Sequence, residues 1–99
     1  MNKEHFYRIE IIANQAVRED ILKEFETIKC TYFTELPLAY GQGRQEPKQG
    51  DSIWPETNLI FIVYASQAML DQITISLGII KQQFPHEGIK LFAVPAIKL

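Results

Sequence analysis

Apolar and polar residues alternate near the start of the chain. Tyr7, Ile9 and Ile11 take one parity, and Arg8 and Glu10 take the other. A period of two marks a strand with one face buried, and it predicts a first strand over residues 5–13. Asn14 stands where it can cap a helix, with Glu19 and Asp20 close to that helix's positive end. Val17, Ile21, Phe25 and Ile28 then recur at i, i+4, i+8 and i+11, which makes one apolar stripe. A second strand is predicted over residues 30–38, with Cys30, Tyr32, Thr34, Leu36 and Leu38 on one face. The third, residues 58–65, reads "NLIFIVYA" and is apolar at both parities. Ser66 is a plausible cap for a second helix. Its core stripe is Met69, Ile73, Leu77, Ile80 and Phe84, with Leu70 on the flank, and Pro85 ends it. "GIKLFAVP", residues 88–95, makes the fourth strand.

The order β-α-β-β-α-β predicts an α+β, ferredoxin-like fold. Two right-handed crossovers put both helices on one face of a four-stranded antiparallel sheet. Such a sheet should be apolar on its covered face and polar on the other. The third strand breaks that rule, offering Leu59, Phe61 and Val63 to one side and Ile60, Ile62 and Tyr64 to the other. The chain has no spare element to cover the second face. Copies of the same chain are the economical cover, so a homo-oligomer is expected. Ile75 and Ile79 lie opposite the core stripe of the second helix, where isolated exposed apolar residues are common.

Ninety-nine residues make a single domain, 1–99. A formal charge of −2 gives no basic patch for nucleic acid. No apolar run approaches the roughly 20 residues of a membrane span, and the first residues lack the apolar stretch of a signal peptide. The single cysteine, Cys30, has no intrachain partner for a disulfide and reads as a small buried hydrophobe. These features predict a cytoplasmic protein that does not insert into a membrane. No catalytic constellation appears, and Ser66 reads as a cap rather than a nucleophile, so a binding protein is expected rather than an enzyme.

The stretch "AYGQGRQEPKQGDSIWPET", residues 39–57, separates the second and third strands. Hairpins usually spend about two to five residues on that connection. Gly41, Gly43 and Gly50 free the backbone, and Pro47 and Pro55 oppose strand continuation. Loops of this size in small domains tend to bind something. At its start, Gly41 and Gly43 let a ligand approach the backbone, and Arg44 and Gln45 add a guanidinium fork and an amide. Exposed N–H groups with an arginine suit a phosphate or a carboxylate. The pattern is neither a nucleotide-triphosphate phosphate loop nor a dinucleotide fingerprint.

With these pieces in order, the chain resembles the PII-like signalling superfamily, whose best-known members are the nitrogen regulatory PII proteins. "YGQGRQ" is similar to the segment by which PII chains leave their second strand for the long T-loop. "WPETNLIFIVYAS" is similar to the return through a proline, and "GIKLFAVP" to the final strand. The resemblance implies a ferredoxin-like subunit in a homotrimer. It also implies a small ligand such as an adenine nucleotide in clefts between subunits, and a T-loop-like insertion, about 41–56, that engages a partner protein. Gly41, Gly43, Arg44 and Gln45 match the loop base, and Lys90 matches a phosphate-contacting lysine of the last strand. Within the loop, Gln42, Lys48 and Trp54 are the residues expected to meet a partner, by analogy a membrane transporter. The region before the last strand departs from the family: "QQFPHEGIK" holds one glycine where PII proteins carry a glycine-rich phosphate cradle. Glu56 stands where PII proteins have a lysine. These departures imply a divergent member with a ligand of its own.

His86 and Glu87, just before the last strand, could hold a metal ion together with a residue of another subunit. "FPHEGIK" also resembles, faintly, the divalent-cation-tolerance family, which makes a metal-binding trimer the alternative expectation. Trp54 could stack on a ligand, anchor a partner or pin the loop to the domain.

Overall fold

A computed structural model of the chain describes residues 6–41 and 56–99. The elements run β1 (Phe6–Asn14), a 3₁₀ turn (Gln15–Val17), α1 (Arg18–Thr27), β2 (Thr34–Gly41), β3 (Glu56–Ala65), α2 (Gln67–Gln83) and β4 (Ile89–Ala96). The strands form one sheet in the order β2-β3-β1-β4. Each neighbouring pair is antiparallel, as the ferredoxin-like expectation requires.

Ser66 caps α2 as expected, whereas Asn14 caps the 3₁₀ turn and α1 itself starts after Val17 with no side-chain cap. Asn14 Oδ1 accepts from the Ala16 amide at 2.9 Å, which opens the 3₁₀ turn that leads into α1. Ser66 Oγ accepts from the Met69 amide at 3.3 Å. Each bond satisfies a donor that the first helical turn leaves without a partner. The helical stripes then meet one face of the sheet. Val17, Ile21 and Phe25 from the first helical segment, and Ile73, Leu77 and Ile80 from α2, bury against Ile9, Ile11, Leu59, Phe61 and Val63. Phe25, Phe33 and Phe61 pack as an aromatic trio, with ring centroids 5.1 to 5.5 Å apart. Ile75 and Ile79 lie exposed on the outer side of α2.

Two features of the second strand differ from the sequence reading. The strand begins at Thr34, not Cys30. α1 ends in a Schellman motif, in which the Cys30 amide donates to the Phe25 carbonyl at 2.8 Å and the Lys29 amide to that of Glu26 at 3.2 Å. Lys29 takes the left-handed conformation, φ 60°, that this turn demands. Cys30 is thereby folded back into the core, away from any strand. The second difference is a shift in register between Leu36 and Ala39. Thr34 and Leu36 pair with Ile62 and Ile60 on one face. Beyond the bulge Ala39, not Leu38, pairs with Asn58 on that face. The five residues expected to share a face therefore do not.

The face away from the helices is left open. β1 presents Arg8, Glu10 and Ile12 there, and β3 presents Ile60, Ile62 and Tyr64. β4 adds Lys90, Phe92 and Val94, according to the strand register. Tyr64, Phe92 and Val94 keep 60%, 55% and 54% of their surface exposed. The apolar character of the third strand's second side is thus shared by Phe92 and Val94 of β4, while β1 sets Arg8 and Glu10 among them. Among the described residues, no helix is long and apolar enough to cross a membrane.

Candidate functional site

β2 and β3 carry the two ends of the long connection. Their last pairs, Tyr40 with Thr57 and Gly41 with Glu56, lie beyond the final β1–β3 pair, Asn14 with Asn58. The connection is therefore launched from a two-stranded ribbon that runs past the body of the sheet.

The base of this ribbon is fastened from the helical layer. Gln15 Nε2 donates to the carbonyl of Pro37, inside the bulge, and to that of Asn58 on the facing strand at 3.3 Å. Pro37 has no amide to give a ladder, so the bulge leaves polar backbone that the glutamine satisfies. Arg18, one turn further on, grips the carboxylate of Glu35 from two of its nitrogens and meets Glu19 at 2.6 Å. The hydrogen bonds and charge of Arg18 hold the Glu35 carboxyl below the usual carboxylate range. Sequence reading had not singled out Gln15, Arg18 or Glu35. Their contacts span 17 to 43 residues along the chain, and no local pattern announces them.

Of the expected site residues that are described, Gly41 and Lys90 lie toward this end of the sheet but on its two opposite edge strands. Gly41 ends β2, and Lys90 stands in β4 opposite Ile12 of β1, exposed on the open face. The turn holding His86 and Glu87 is tied to the same end. The Asn14 amide donates to the Gly88 carbonyl at 3.2 Å, and the Glu87 amide to that of Phe84 at 3.1 Å. Gln42, Gly43, Arg44, Gln45, Lys48 and Trp54 lie outside the described residues. No three ligand-type side chains gather into a possible metal site among the described residues. A metal held by His86 and Glu87 would need a further ligand from elsewhere.

At the opposite end of the sheet is a cleft of about 190 Å³. The turn after α1 lines it with Lys29, Cys30, Thr31 and Tyr32. The β3–α2 junction lines it with Val63, Tyr64, Ala65, Ser66 and Met69. Tyr32 and Tyr64 are both largely exposed. Cys30 lies buried at the edge of the cleft, and burial pushes its thiol up. Along β3 the cleft, at Val63–Ala65, lies about 23–30 Å from the loop base at Glu56, given a rise of about 3.3 Å per residue.

An antiparallel four-stranded sheet in this order, with both helices on one side and a long β2–β3 connection, is the fold of the PII-like signalling proteins. No family model matches the chain, and no curated protein does. Solved structures do match along its full length. A PII-like signalling protein of Thermus thermophilus superposes with a TM-score of 0.70 at 17% identity, over 100% of this chain and 94% of that one. CPII, a nitrogen regulatory PII-like protein of Thiomonas intermedia K12 bound to ADP, AMP and bicarbonate, gives 0.74 at 12% identity, over 99% and 97%. The GlnK–ATP complex of B. subtilis gives 0.72 at 20% identity, over 97% and 85%. The resemblance read from "YGQGRQ" and the strands around it therefore holds for the whole fold.

Proposed function

We propose that the chain is a regulatory protein of PII-like type. It assembles as a homotrimer through its open sheet face, binds an adenine nucleotide or another anion in clefts between subunits, and engages a partner protein through loop 41–56. The observation that carries this reading is the full-length match to PII-like structures, two of which hold adenine nucleotides. The geometry fits it. Gly41 and Lys90 share one end of the sheet with the loop, and an aromatic-lined cleft lies at the other. In a ring of copies, the Lys90 end of one subunit can lie against the cleft of its neighbour. An anion with a planar base needs both halves.

Arg44 and Gln45 then contribute from the loop base, Lys90 supplies positive charge for a phosphate or bicarbonate, and Gln42, Lys48 and Trp54 face the partner, which by analogy is a cytoplasmic surface of a membrane transporter. The role is regulatory, not catalytic. The alternative, a cation-tolerance-like metal protein using His86 and Glu87, gains no support from the comparisons.

Calorimetric titration with ATP, ADP, AMP and bicarbonate tests the proposal. Saturable binding of at least one nucleotide, with a change in the fluorescence of the single tryptophan, Trp54, is the expected result. A folded, assembled protein that binds none of the four overturns it.

A further inference from the structure

Arg8 lies at the middle of the open face, on the central strand, between Tyr64 of β3 and Val94 of β4. Its Nε is shut off from solvent and has no hydrogen-bond partner among the described residues. A guanidinium nitrogen in that state is costly unless an acceptor arrives. Glu10 is two residues along on the same face, yet no ion pair joins the two among the described residues. Ile62 and Phe92 flank Glu10 on either side. On β1 the face thus carries a cation and an anion at a spacing of one pleat, set among exposed apolar side chains, with Lys90 of β4 a second cation nearer its far end.

We infer that Arg8 of one copy pairs with Glu10 of the next, and that this ion pair fixes how the copies stack. The inference rests on the self-association proposed above. A surface with opposite charges one pleat apart is complementary to itself, because in a closed ring each copy can set its cation against the anion of the next and its anion against the cation of the one before. A chemically different partner would have to carry the same pattern inverted. Apolar surface alone does not choose a register, whereas a cation left without its anion in a desolvated contact penalises every wrong one. The apolar neighbours exclude water from the pair and supply the area, and Arg8 and Glu10 select the arrangement.

Sedimentation equilibrium on the full chain tests this, with circular dichroism to verify folding. The wild type is expected to associate at micromolar concentration and to loosen as salt rises. Arg8→Glu and Glu10→Arg should each weaken association more than about tenfold, since each places like charges together in the contact. The double swap Arg8→Glu/Glu10→Arg should restore it. Wild-type association with both single reversals equally assembled, or a folded double swap that stays dissociated, overturns the pairing but leaves self-association standing. A wild type that is monomeric removes both. Should the reversals fail to fold, Glu10→Gln keeps the test open: it is expected to associate more weakly and with a shallower salt dependence, and unchanged values contradict the pairing.

Discussion

Arg18 at the start of α1 holds Glu35 of β2 by two bonds, Nε to Oε1 at 2.5 Å and Nη2 to Oε2 at 3.1 Å. Planar, bidentate contacts of this kind are the stronger class of ion pair. The pair joins the helical layer to the edge strand just before the bulge, and so sets where the ribbon leaves the sheet. Because Glu35 is held below its usual range, its contribution to stability is complete above the unfolded carboxylate value of about 4.3. That contribution fades as pH falls through the lower folded value. Glu35→Gln should therefore unfold at lower urea than the wild type at pH 7, and the gap should narrow at an acid pH below the ordinary carboxylate range. A gap of equal size at both pH values would assign the effect to something other than the charge.

Gln15 fills the bulge that Pro37 creates. Replacing it by alanine leaves the carbonyls of Pro37 and Asn58 without this donor, at a cost of about 1 kcal/mol. The loss should be local. Amide exchange at Ala39 and Tyr40 is expected to accelerate in Gln15→Ala while that of Ile9 and Ile11 follows global stability. Uniform acceleration across the sheet would count against a clamp at the ribbon's base.

Lys29 adopts the left-handed conformation at the end of α1. A side chain there costs about 1–2 kcal/mol, of which glycine's extra freedom in the unfolded chain takes back part. Lys29→Gly is expected to raise stability by about 0.5–1 kcal/mol, read from the denaturation midpoint. A lower midpoint would mean that the lysine makes a contact worth more than the strain.

Cys30 is buried, and burial raises its thiol pKa. It should react with an aromatic disulfide reagent far more slowly in the folded protein than in denaturant. Equal rates would place the thiol in solvent.

The elements that sequence revealed are those whose causes are local. Asn14 and Ser66 cap helices a few residues away, and the apolar stripes ending in Phe25 and Ile80 repeat at a helix period. Ile60, Ile62 and Tyr64 announced the open face because a strand's side chains alternate. The second strand was harder for two reasons. A lysine, not a glycine, occupies the left-handed position of the Schellman turn, so nothing flagged the turn that takes Cys30 out of the strand. The bulge after Leu36 depends on Gln15 reaching across from another element. At the candidate site, Gly41 and Lys90 could be read from the resemblance, but the struts that position the ribbon come from distant parts of the chain. That the Nε of Arg8 lacks a partner among the described residues could not be read at all, because it depends on what its neighbours on β3 and β4 withhold.

The most direct measurement is the mass of the untagged protein in solution, by light scattering at micromolar concentration. The account predicts three times the 11.4 kDa of one chain. A stable species of one chain's mass would contradict it, because the exposed Tyr64, Phe92 and Val94 would then face water and no cleft between subunits would exist.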